Sequence, residues 1–293
     1  MRRVNTTLAL HKTQNAVFFL PNTAGALPAC RDGATLNADA MNIPHAYAAA
    51  TLVAAFLLGP APAFAQADYA REKRWAEEII PGIVIGDPVW IESKSGRKSL
   101  AIYAPVPKAT SGIIVVHALG LHPDWGLIQT LRSRLPEHGY ATLSVQMPVL
   151  DAEAKGERYP PLFPEAAERL GAAVAWLRGK GMKKVAIVSH SMGARMTNYF
   201  LSHAGDARID AWIAIGITGE IALPEKFRAP VLDLYGEKDY PGVLDGAAAR
   251  VAVIRKIRGS GQVQVAGADH FFTGMEGELM RQVRQFLDSR LRP

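Results

Sequence analysis

The pattern of apolar and polar residues changes near residue 83. From there on, short runs rich in β-branched residues alternate with segments whose apolar residues recur every three or four positions. This alternation is typical of strands joined by crossover helices. We predict eight strands, near residues 83–92, 98–104, 112–118, 140–147, 184–189, 209–216, 230–235 and 262–266.

Two of these runs are apolar without interruption. Residues 113–116 and 185–188 are all aliphatic, as expected of parallel strands that are covered on both faces. Apolar residues at helical spacing occur at 127–135, 170–177 and 279–287. The sequence therefore predicts an α/β fold in which a mostly parallel eight-stranded sheet carries helices on both faces.

The first two predicted strands have no helical pattern between them. Only the turn-forming residues Ser95 and Gly96 separate their ends. Since antiparallel strands can be joined by a tight turn, we expect a hairpin at one edge of the sheet.

The segment before residue 66 is interpreted separately. Residues 46–58 form an apolar run that is shorter than the roughly 20 residues a bilayer-spanning helix needs. The small-x-small pattern Ala63-Phe64-Ala65 follows it, as at a signal-peptidase site. We expect a signal peptide at 41–65, cleavage after Ala65 and a periplasmic or secreted protein. The alternative is an uncleaved membrane anchor.

The first forty residues show no clean periodicity of either kind. A signal peptide has to lie at the N-terminus to be recognised. We therefore interpret residues 1–40 as an extension from a misassigned gene start, with translation beginning at Met41. The mature chain, residues 66–293, is then a single domain with no stable membrane span.

Composition excludes several classes of protein. The 293 residues carry 33 basic and 27 acidic side chains, a net charge of +6, and the basic residues are spread along the chain. We expect no nucleic-acid partner, and we interpret the densest basic group, Arg250 to Arg258, as a solvated helix end.

The single cysteine, Cys30, excludes an internal disulfide and a cysteine-based metal cluster. Because no paired His or carboxylate spacing resembles a ligand set, we expect neither a metal nor a cofactor.

A serine stands where a predicted strand turns into a predicted helix. The strand near 184–189 runs into Ser189-His190-Ser191-Met192-Gly193, with small residues two positions before and after Ser191. A tight strand-to-helix turn needs small residues there, and it presents the hydroxyl at the carboxyl end of the sheet. Ser191 is therefore the candidate nucleophile. The alternative is that it only caps the following helix.

A serine hydroxyl needs a base, and the base needs an acid that orients it. His270 follows the last predicted strand and is the candidate base, with Nε2 toward Ser191. Asp239 follows the preceding strand and is the candidate acid, while Asp269 should point elsewhere. The order Ser, Asp, His along the chain is the one that triads follow in sheets of this kind. Less favoured substitutes for the acid are Asp233, Glu237 and Glu220.

A tetrahedral intermediate also needs amide donors for its oxyanion. The residue after the nucleophile, Met192, is the first expected donor. The loop after the third strand supplies the second, which we expect to be Leu119, with Ala118 as the alternative.

These segments together resemble those of the α/β-hydrolases, over residues 83–291. His117-Ala118-Leu119-Gly120 is similar to the HGxG oxyanion motif, SHSMG to the nucleophile elbow, GEKD to the acid loop and GADHFF to the histidine loop. The chain most resembles an exported bacterial branch of that superfamily. Ala118 and Ser189 depart from it, since both stand where the family usually has glycine. The resemblance implies a serine hydrolase that acts on carboxylic esters through an acyl-enzyme.

The connections between the strands bear on the substrate. Only residues 217–229 connect the sixth and seventh predicted strands, where the family often carries a lid, so we expect no large lid. Residues 151–164 are rich in charge and proline, and they are either a mobile flap or a plain surface loop. His122, Asp124 and Trp125 are candidates for the pocket entrance.

An open site with little apolar cover favours small or partly soluble esters over long lipids. The expected partner is therefore a small-molecule ester or acyl compound, although thioesters and amides are cleaved by the same triad. A different class of function is a non-catalytic binding protein on the same scaffold.

Overall fold

The computed structural model describes residues 66–203 and 209–292. The expectations for residues 1–40 and for the signal peptide at 41–65 lie outside the described residues, and so does Cys30.

Eight strands form one sheet. They are β1 (Asp87–Glu92), β2 (Lys98–Ala104), β3 (Ser111–Val116), β4 (Ala141–Val145), β5 (Lys184–His190), β6 (Ala211–Ile215), β7 (Val231–Lys238) and β8 (Gly261–Asp269). Their order across the sheet is β1-β2-β4-β3-β5-β6-β7-β8. The pairs β1–β2 and β2–β4 are antiparallel and all others are parallel. The mostly parallel sheet and the hairpin at its edge are confirmed.

Helices connect these strands in the described part of the chain. They are α1 (Tyr69–Ile79), α2 (Gly126–Arg134), α3 (Phe163–Gly179), α4 (Met192–His203), α5 (Pro241–Leu244), α6 (Ala247–Ile254) and α7 (Glu276–Leu291). Single turns of 3-10 helix lie at Ile80–Gly82, Leu135–His138, Gly156–Arg158 and Pro160–Leu162.

The core lies on both faces of the sheet. Because successive side chains of a strand point to opposite faces, Ile114 of β3 packs in a cluster with residues of α3 and α4, and Ile113 packs in a second cluster with residues of α2 and α7. Both isoleucines are fully buried. The prediction of helices on both faces is confirmed.

Two features near the start of the described chain differ from the prediction. The first strand begins at Asp87 rather than at residue 83, because Gly86 has a φ of +86° and Val84 is 92% exposed. The prediction does not include helix α1, of whose residues only Ala76 is buried. Its beginning is stabilised by Asp68, whose side chain accepts a hydrogen bond from the amide of Arg71 at 2.9 Å.

The sheet gathers several loops at one edge. The carboxyl ends of the parallel strands β3, β5, β6, β7 and β8 lie at the same side of the sheet, which is where open α/β sheets bind ligands. None of the described helices is both long enough and apolar enough to cross a bilayer.

Candidate active site

Ser191 lies at a sharp turn between β5 and α4. Its φ is +55°, a left-handed conformation that costs an ordinary side chain about 1–2 kcal/mol. The turn is held on both sides, because the amide of Ser191 donates to the carbonyl of Ile215 at 2.8 Å and its own carbonyl accepts from Ala194 at 2.9 Å. A strained serine fixed in this way is a candidate for function rather than for capping alone.

The two residues flanking the elbow show why it needs small side chains. A Cβ at Gly193 would clash with the carbonyl oxygen of His117, so only glycine fits there. Ser189 stands two positions before the nucleophile and is fully buried. Its hydroxyl oxygen accepts a hydrogen bond from the indole N–H of Trp212 at 2.8 Å. The departure from glycine at this position is therefore accommodated by a polar contact.

The structure brings the three expected side chains together. His270 Nε2 lies 3.0 Å from Ser191 Oγ, and His270 Nδ1 lies 2.6 Å from Asp239 Oδ1. Asp239 is also held from its own loop, since Oδ1 accepts from the amide of Tyr240 at 2.8 Å. His270 and Asp239 are only 3% and 5% exposed. In this geometry the imidazole can take the hydroxyl proton while the carboxylate holds the ring.

Groups around the imidazole restrict its position. The ring of Tyr240 lies 4.2 Å from that of His270. On another side is Gly216, where a Cβ would lie only 3.0 Å from the His270 ring atoms Cε1 and Nδ1. The histidine is therefore confined by backbone on one side and by an aromatic ring on another.

His190 holds the loop that carries His270, and the sequence analysis did not identify this role. Its Nε2 lies 3.0 Å from the carbonyl oxygen of His270, which can only accept, so Nε2–H is the donor. Burial lowers the pKa of His190 to about 3. The ring therefore stays neutral and places no second positive charge beside the candidate base. The sequence signal for this role is a histidine within the elbow, directly before Ser191.

The other carboxylates considered for the acid are engaged elsewhere. Asp233 forms an ion pair with Arg250, 2.8 Å from its Nε, and the described structure exposes neither side chain. Glu237 accepts from the amide of Gly267 at 2.7 Å. Glu220 is exposed. None of the three contacts His270 in the described residues, which leaves Asp239 as its carboxylate partner.

Two further expectations in this region have different outcomes. Arg250 was placed on a solvated helix face, and this was wrong, because α6 packs against β7 and β8 and directs Arg250 at the carboxylate inside β7. Asp269 was expected to point away from the base, and this is confirmed. Its carboxylate accepts from the amides of Phe271 at 3.0 Å and Thr273 at 2.9 Å.

Of the two expected oxyanion donors, Met192 begins α4, and Leu119 lies in a loop that is fixed by His117. Neither Leu119 nor Met192 uses its amide in the loop and turn hydrogen bonds of residues 66–203 and 209–292. His117 Nδ1 lies 2.8 Å from the carbonyl of Ala118, and its Nε2 accepts from the amide of Met147 at 2.9 Å. Burial lowers the pKa of His117 to about 3. A neutral ring with its proton on Nδ1 therefore ties this loop to the end of β4.

The segment 151–164 covers the same loop. A Cβ at Gly156 would lie 3.3 Å from Met192 Cε and 3.9 Å from Leu119 Cδ1. Tyr159 is 1% exposed, and its hydroxyl oxygen accepts from the amide of Leu150 at 3.2 Å. This segment is therefore anchored by a buried tyrosine beside the candidate oxyanion donors.

The three candidates for the pocket entrance make contacts with different parts of the protein. Trp125 is 40% exposed, and its ring lies 5.8 Å from that of Phe271, the neighbour of His270. His122 contacts the ring of Trp75 in α1 at 5.5 Å. Asp124 instead accepts from Arg132 Nε at 2.7 Å, which holds α2 to the loop before it.

Helix α1 reaches the site through Arg71. One guanidinium nitrogen donates to the carbonyl of Leu150 at 2.7 Å, and the other donates to the carbonyl of Gly120 at 3.1 Å. The first acceptor precedes the 151–164 segment and the second ends the oxyanion loop. A residue of a helix that the sequence analysis does not predict thus joins two loops of the candidate site.

Comparison with solved structures decides the fold. A dienelactone hydrolase from Anabaena variabilis matches with a TM-score of 0.61 at 18% identity, over 71% of this chain and 98% of that one. The chain has the α/β-hydrolase fold. A hydrolase without a lid from Xanthomonas campestris matches at 15% identity over 71% and 95% of the two chains, and an esterase from Pyrococcus furiosus at 16% over 70% and 93%, each with a TM-score of 0.54. Neither a protein-family model nor a curated protein matches the chain.

This α/β-hydrolase fold carries no large lid in its described part. Residues 216–230, which connect β6 to β7, contain no helix and no strand. Within residues 66–203 and 209–292, no three side chains of the types His, Cys, Asp and Glu are grouped as metal ligands.

Proposed function

We propose that this protein is a serine hydrolase that cleaves small carboxylic esters, with Ser191 as nucleophile, His270 as base and Asp239 as the orienting acid. The observation that carries the proposal is the continuous pair of contacts from Ser191 Oγ to His270 Nε2 at 3.0 Å and from His270 Nδ1 to Asp239 at 2.6 Å. These contacts occur at a strained elbow, where a serine that only capped the helix would not need a base beside it.

In the first half of the proposed reaction, Ser191 Oγ attacks the ester carbonyl carbon. Its proton passes to His270 Nε2, and Asp239 stabilises the imidazolium that forms. The negative charge on the former carbonyl oxygen is accepted by the amides of Leu119 and Met192. When the tetrahedral intermediate collapses, the bond to the alcohol oxygen breaks and the alcohol leaves with the proton from Nε2.

In the second half, a water molecule attacks the acyl-enzyme. His270 Nε2 takes the water proton and returns it to Ser191 Oγ as the acid is released. His117 acts in both halves as a positioning residue, because its ring holds the loop that carries the Leu119 amide. The neutral state of His117 and of His190 leaves His270 as the proton carrier at the site.

The open connection between β6 and β7 supports small esters. Without a lid, little apolar wall is available for a long acyl chain. The similar structures include proteins described as a dienelactone hydrolase and as an esterase. Thioesters and amides are further substrates that the same triad can cleave, and a panel of 4-nitrophenyl esters, thioesters and anilides of matched chain length separates them.

A fluorophosphonate probe tests the proposal directly. The native protein should be labelled at Ser191, and Ser191→Ala should abolish both labelling and ester hydrolysis. Ser289→Ala, in α7 on the other face of the sheet, is the matched control and should be labelled like the wild type. A folded wild-type protein that is not labelled and binds small acyl compounds without turnover would favour a non-catalytic binding protein instead.

We further propose that the protein is exported to the periplasm or secreted. The support is the apolar run at 46–58 followed by a small-x-small site ending at Ala65. N-terminal sequencing of the protein recovered from outside the cytoplasm should find a mature chain that starts near Gln66. Recovery of an uncleaved chain from the membrane fraction would contradict the proposal.

A further inference from the structure

A cavity of about 290 Å³ lies along α4, the helix that begins directly after Ser191. Its walls come from the start of α3, from one stripe of α4 and from the loop that follows β6. The lining residues that matter here are Phe163, Arg195, Asn198, Thr218 and Glu220.

The cavity is built from the same elements that carry the triad. Arg195 lies in the first turn of α4, and its amide donates to the carbonyl of Ser191 at 3.2 Å. Thr218 is two residues after Gly216, which packs against the ring of His270. The cavity is thus lined by residues that follow Ser191 and Gly216 closely in the chain.

Arg195 is the charged group on the helical wall of this cavity. It is half-buried, and its guanidinium carbon lies 5.6 Å from the centre of the Phe163 ring. Among the described residues, no carboxylate comes within ion-pair distance of it and no acceptor takes a hydrogen bond from its side chain. In the described part of the chain, the partly desolvated guanidinium therefore contacts the Phe163 ring and no carboxylate. A guanidinium is suited to bind a carboxylate through two hydrogen bonds.

The other polar residues of the cavity do not supply that partner. Asn198 is held to the loop after β6, because its Nδ2 donates to the carbonyl of Glu220 at 3.3 Å and its Oδ1 accepts from the amide of Ala222 at 3.1 Å. Glu220 is exposed and forms no ion pair with Arg195. Within residues 66–203 and 209–292, the cavity thus leaves Arg195 open to a carboxylate from a ligand.

We infer that the substrate is an ester that carries a carboxylate, and that Arg195 binds this group while Ser191 attacks the ester. The inference rests on the proposed function and adds the substrate class to it. Arg195 lies at the end of α4 that is nearest Ser191 in the chain. The probe for this inference is a half-ester of a dicarboxylic acid with four carbons between the two carboxyl groups.

The kinetic test compares two esters of equal size. One is 4-nitrophenyl hydrogen adipate, and the other is 4-nitrophenyl 6-methylheptanoate, in which a neutral isopropyl group replaces the carboxylate. The wild type should prefer the anionic ester by kcat/KM. Arg195→Gln should lower the ratio of the two kcat/KM values by about 10- to 100-fold, as expected for the loss of a charge-assisted hydrogen bond.

Matched variants separate local binding from overall charge. Arg284→Gln removes one positive charge from α7, which packs on the other face of the sheet, and should leave the ratio at its wild-type value. Arg195→Lys should recover part of the preference, because the charge remains but the planar fork is lost. A wild-type enzyme with no preference for the anionic ester, or a ratio that Arg195→Gln does not change, would overturn the inference.

A binding measurement keeps this inference distinct from the proposed function. Monomethyl adipate should bind the Ser191→Ala variant in calorimetry, while dimethyl adipate should bind at least 10-fold more weakly. Adding Arg195→Gln should remove the difference. If the fluorophosphonate probe fails to label the wild type, the proposed function fails, whatever this measurement gives. If labelling succeeds but the two adipates bind equally, only the carboxylate inference fails.

Discussion

Ser191 occupies a left-handed backbone conformation that most residues avoid, and its neighbours explain how it is held there. The elbow amide is bonded to the end of β6, and Gly193 leaves room for the carbonyl of His117. His270 is confined by Gly216 and Tyr240, and its carbonyl is held by His190. The candidate nucleophile and the candidate base are thus positioned by residues that take no direct part in the proposed chemistry.

Replacing Asp239 by asparagine should lower kcat by about 10⁴-fold, the size seen when a serine-protease triad loses its aspartate. The reason is that asparagine can donate to Nδ1 and so favour the wrong tautomer of His270. Steady-state hydrolysis of a 4-nitrophenyl ester measures the loss. Asp245→Asn, an exposed change in the turn between α5 and α6, should retain wild-type kcat. Near-full activity of Asp239→Asn would remove Asp239 from the mechanism.

Replacing Gly216 by alanine should displace the imidazole, because the new Cβ would lie 3.0 Å from two atoms of its ring. A shift of about 1 Å in a catalytic group can cost about 10²-fold in rate. Gly96→Ala is the matched control, since Gly96 has a similarly positive φ of +78° but nothing within 4 Å of its Cβ position. Both variants should lose stability in urea, while only Gly216→Ala should lose kcat. Equal kcat values would contradict this account of the site.

At the scale of elements, α1 behaves as part of the active-site support. It lies before the sheet in the chain, yet Arg71 bonds to the carbonyls of Leu150 and Gly120. A second contact adds to this, because Glu72 forms an ion pair with the buried Arg169 of α3 at 2.9 Å. The helix therefore joins α3, the oxyanion loop and the segment that covers it.

Arg71→Met should weaken this connection while keeping an unbranched apolar stem. Two partly buried carbonyls would lose a charged donor, so the free energy of unfolding should fall by about 1–3 kcal/mol, and kcat/KM should fall as the oxyanion loop moves. Arg74→Met, on the exposed side of the same helix, is the control for both readouts. Urea denaturation and ester hydrolysis measure them. A variant with unchanged kcat/KM would limit α1 to a purely structural role.

At the scale of the whole molecule, two buried histidines should make stability depend on pH. Burial lowers the pKa of His117 and of His190 to about 3, whereas an unfolded histidine titrates near pH 6.5. Between these values the unfolded state binds more protons, so the free energy of unfolding falls as the pH is lowered. Their contribution is fully present above pH 6.5 and is lost progressively toward pH 3.

Denaturant unfolding between pH 7 and pH 5 measures this dependence. Around pH 5, two protons correspond to a slope of about 2.7 kcal/mol per pH unit. His190→Gln should reduce the slope by about one proton, while His203→Gln, an exposed histidine at the end of α4, should not change it. An unchanged slope in His190→Gln would show that this ring is protonated in the folded state.

Much of the fold was readable because its signals are local. The uninterrupted apolar runs at 113–116 and 185–188 became β3 and β5, and the Ser95-Gly96 turn became the β1–β2 hairpin. The spacing of apolar residues within about ten positions indicates whether a segment is a strand or a helix. Helix α1 is missing from the prediction. Of its residues only Ala76 is buried, and Arg71 and Glu72 join it to the rest of the protein through polar contacts.

The sequence by itself determined the succession of the strands along the chain, the elbow around Ser191 and the candidates His270 and Asp239, because each is marked by a short local pattern. Only the tertiary structure decided which polar groups meet. It paired Arg250 with Asp233, brought Arg71 to Gly120 and left Arg195 facing a cavity. Periodicity records which side of an element is buried, but the partner of a buried charge comes from another part of the chain and is fixed only when the layers pack.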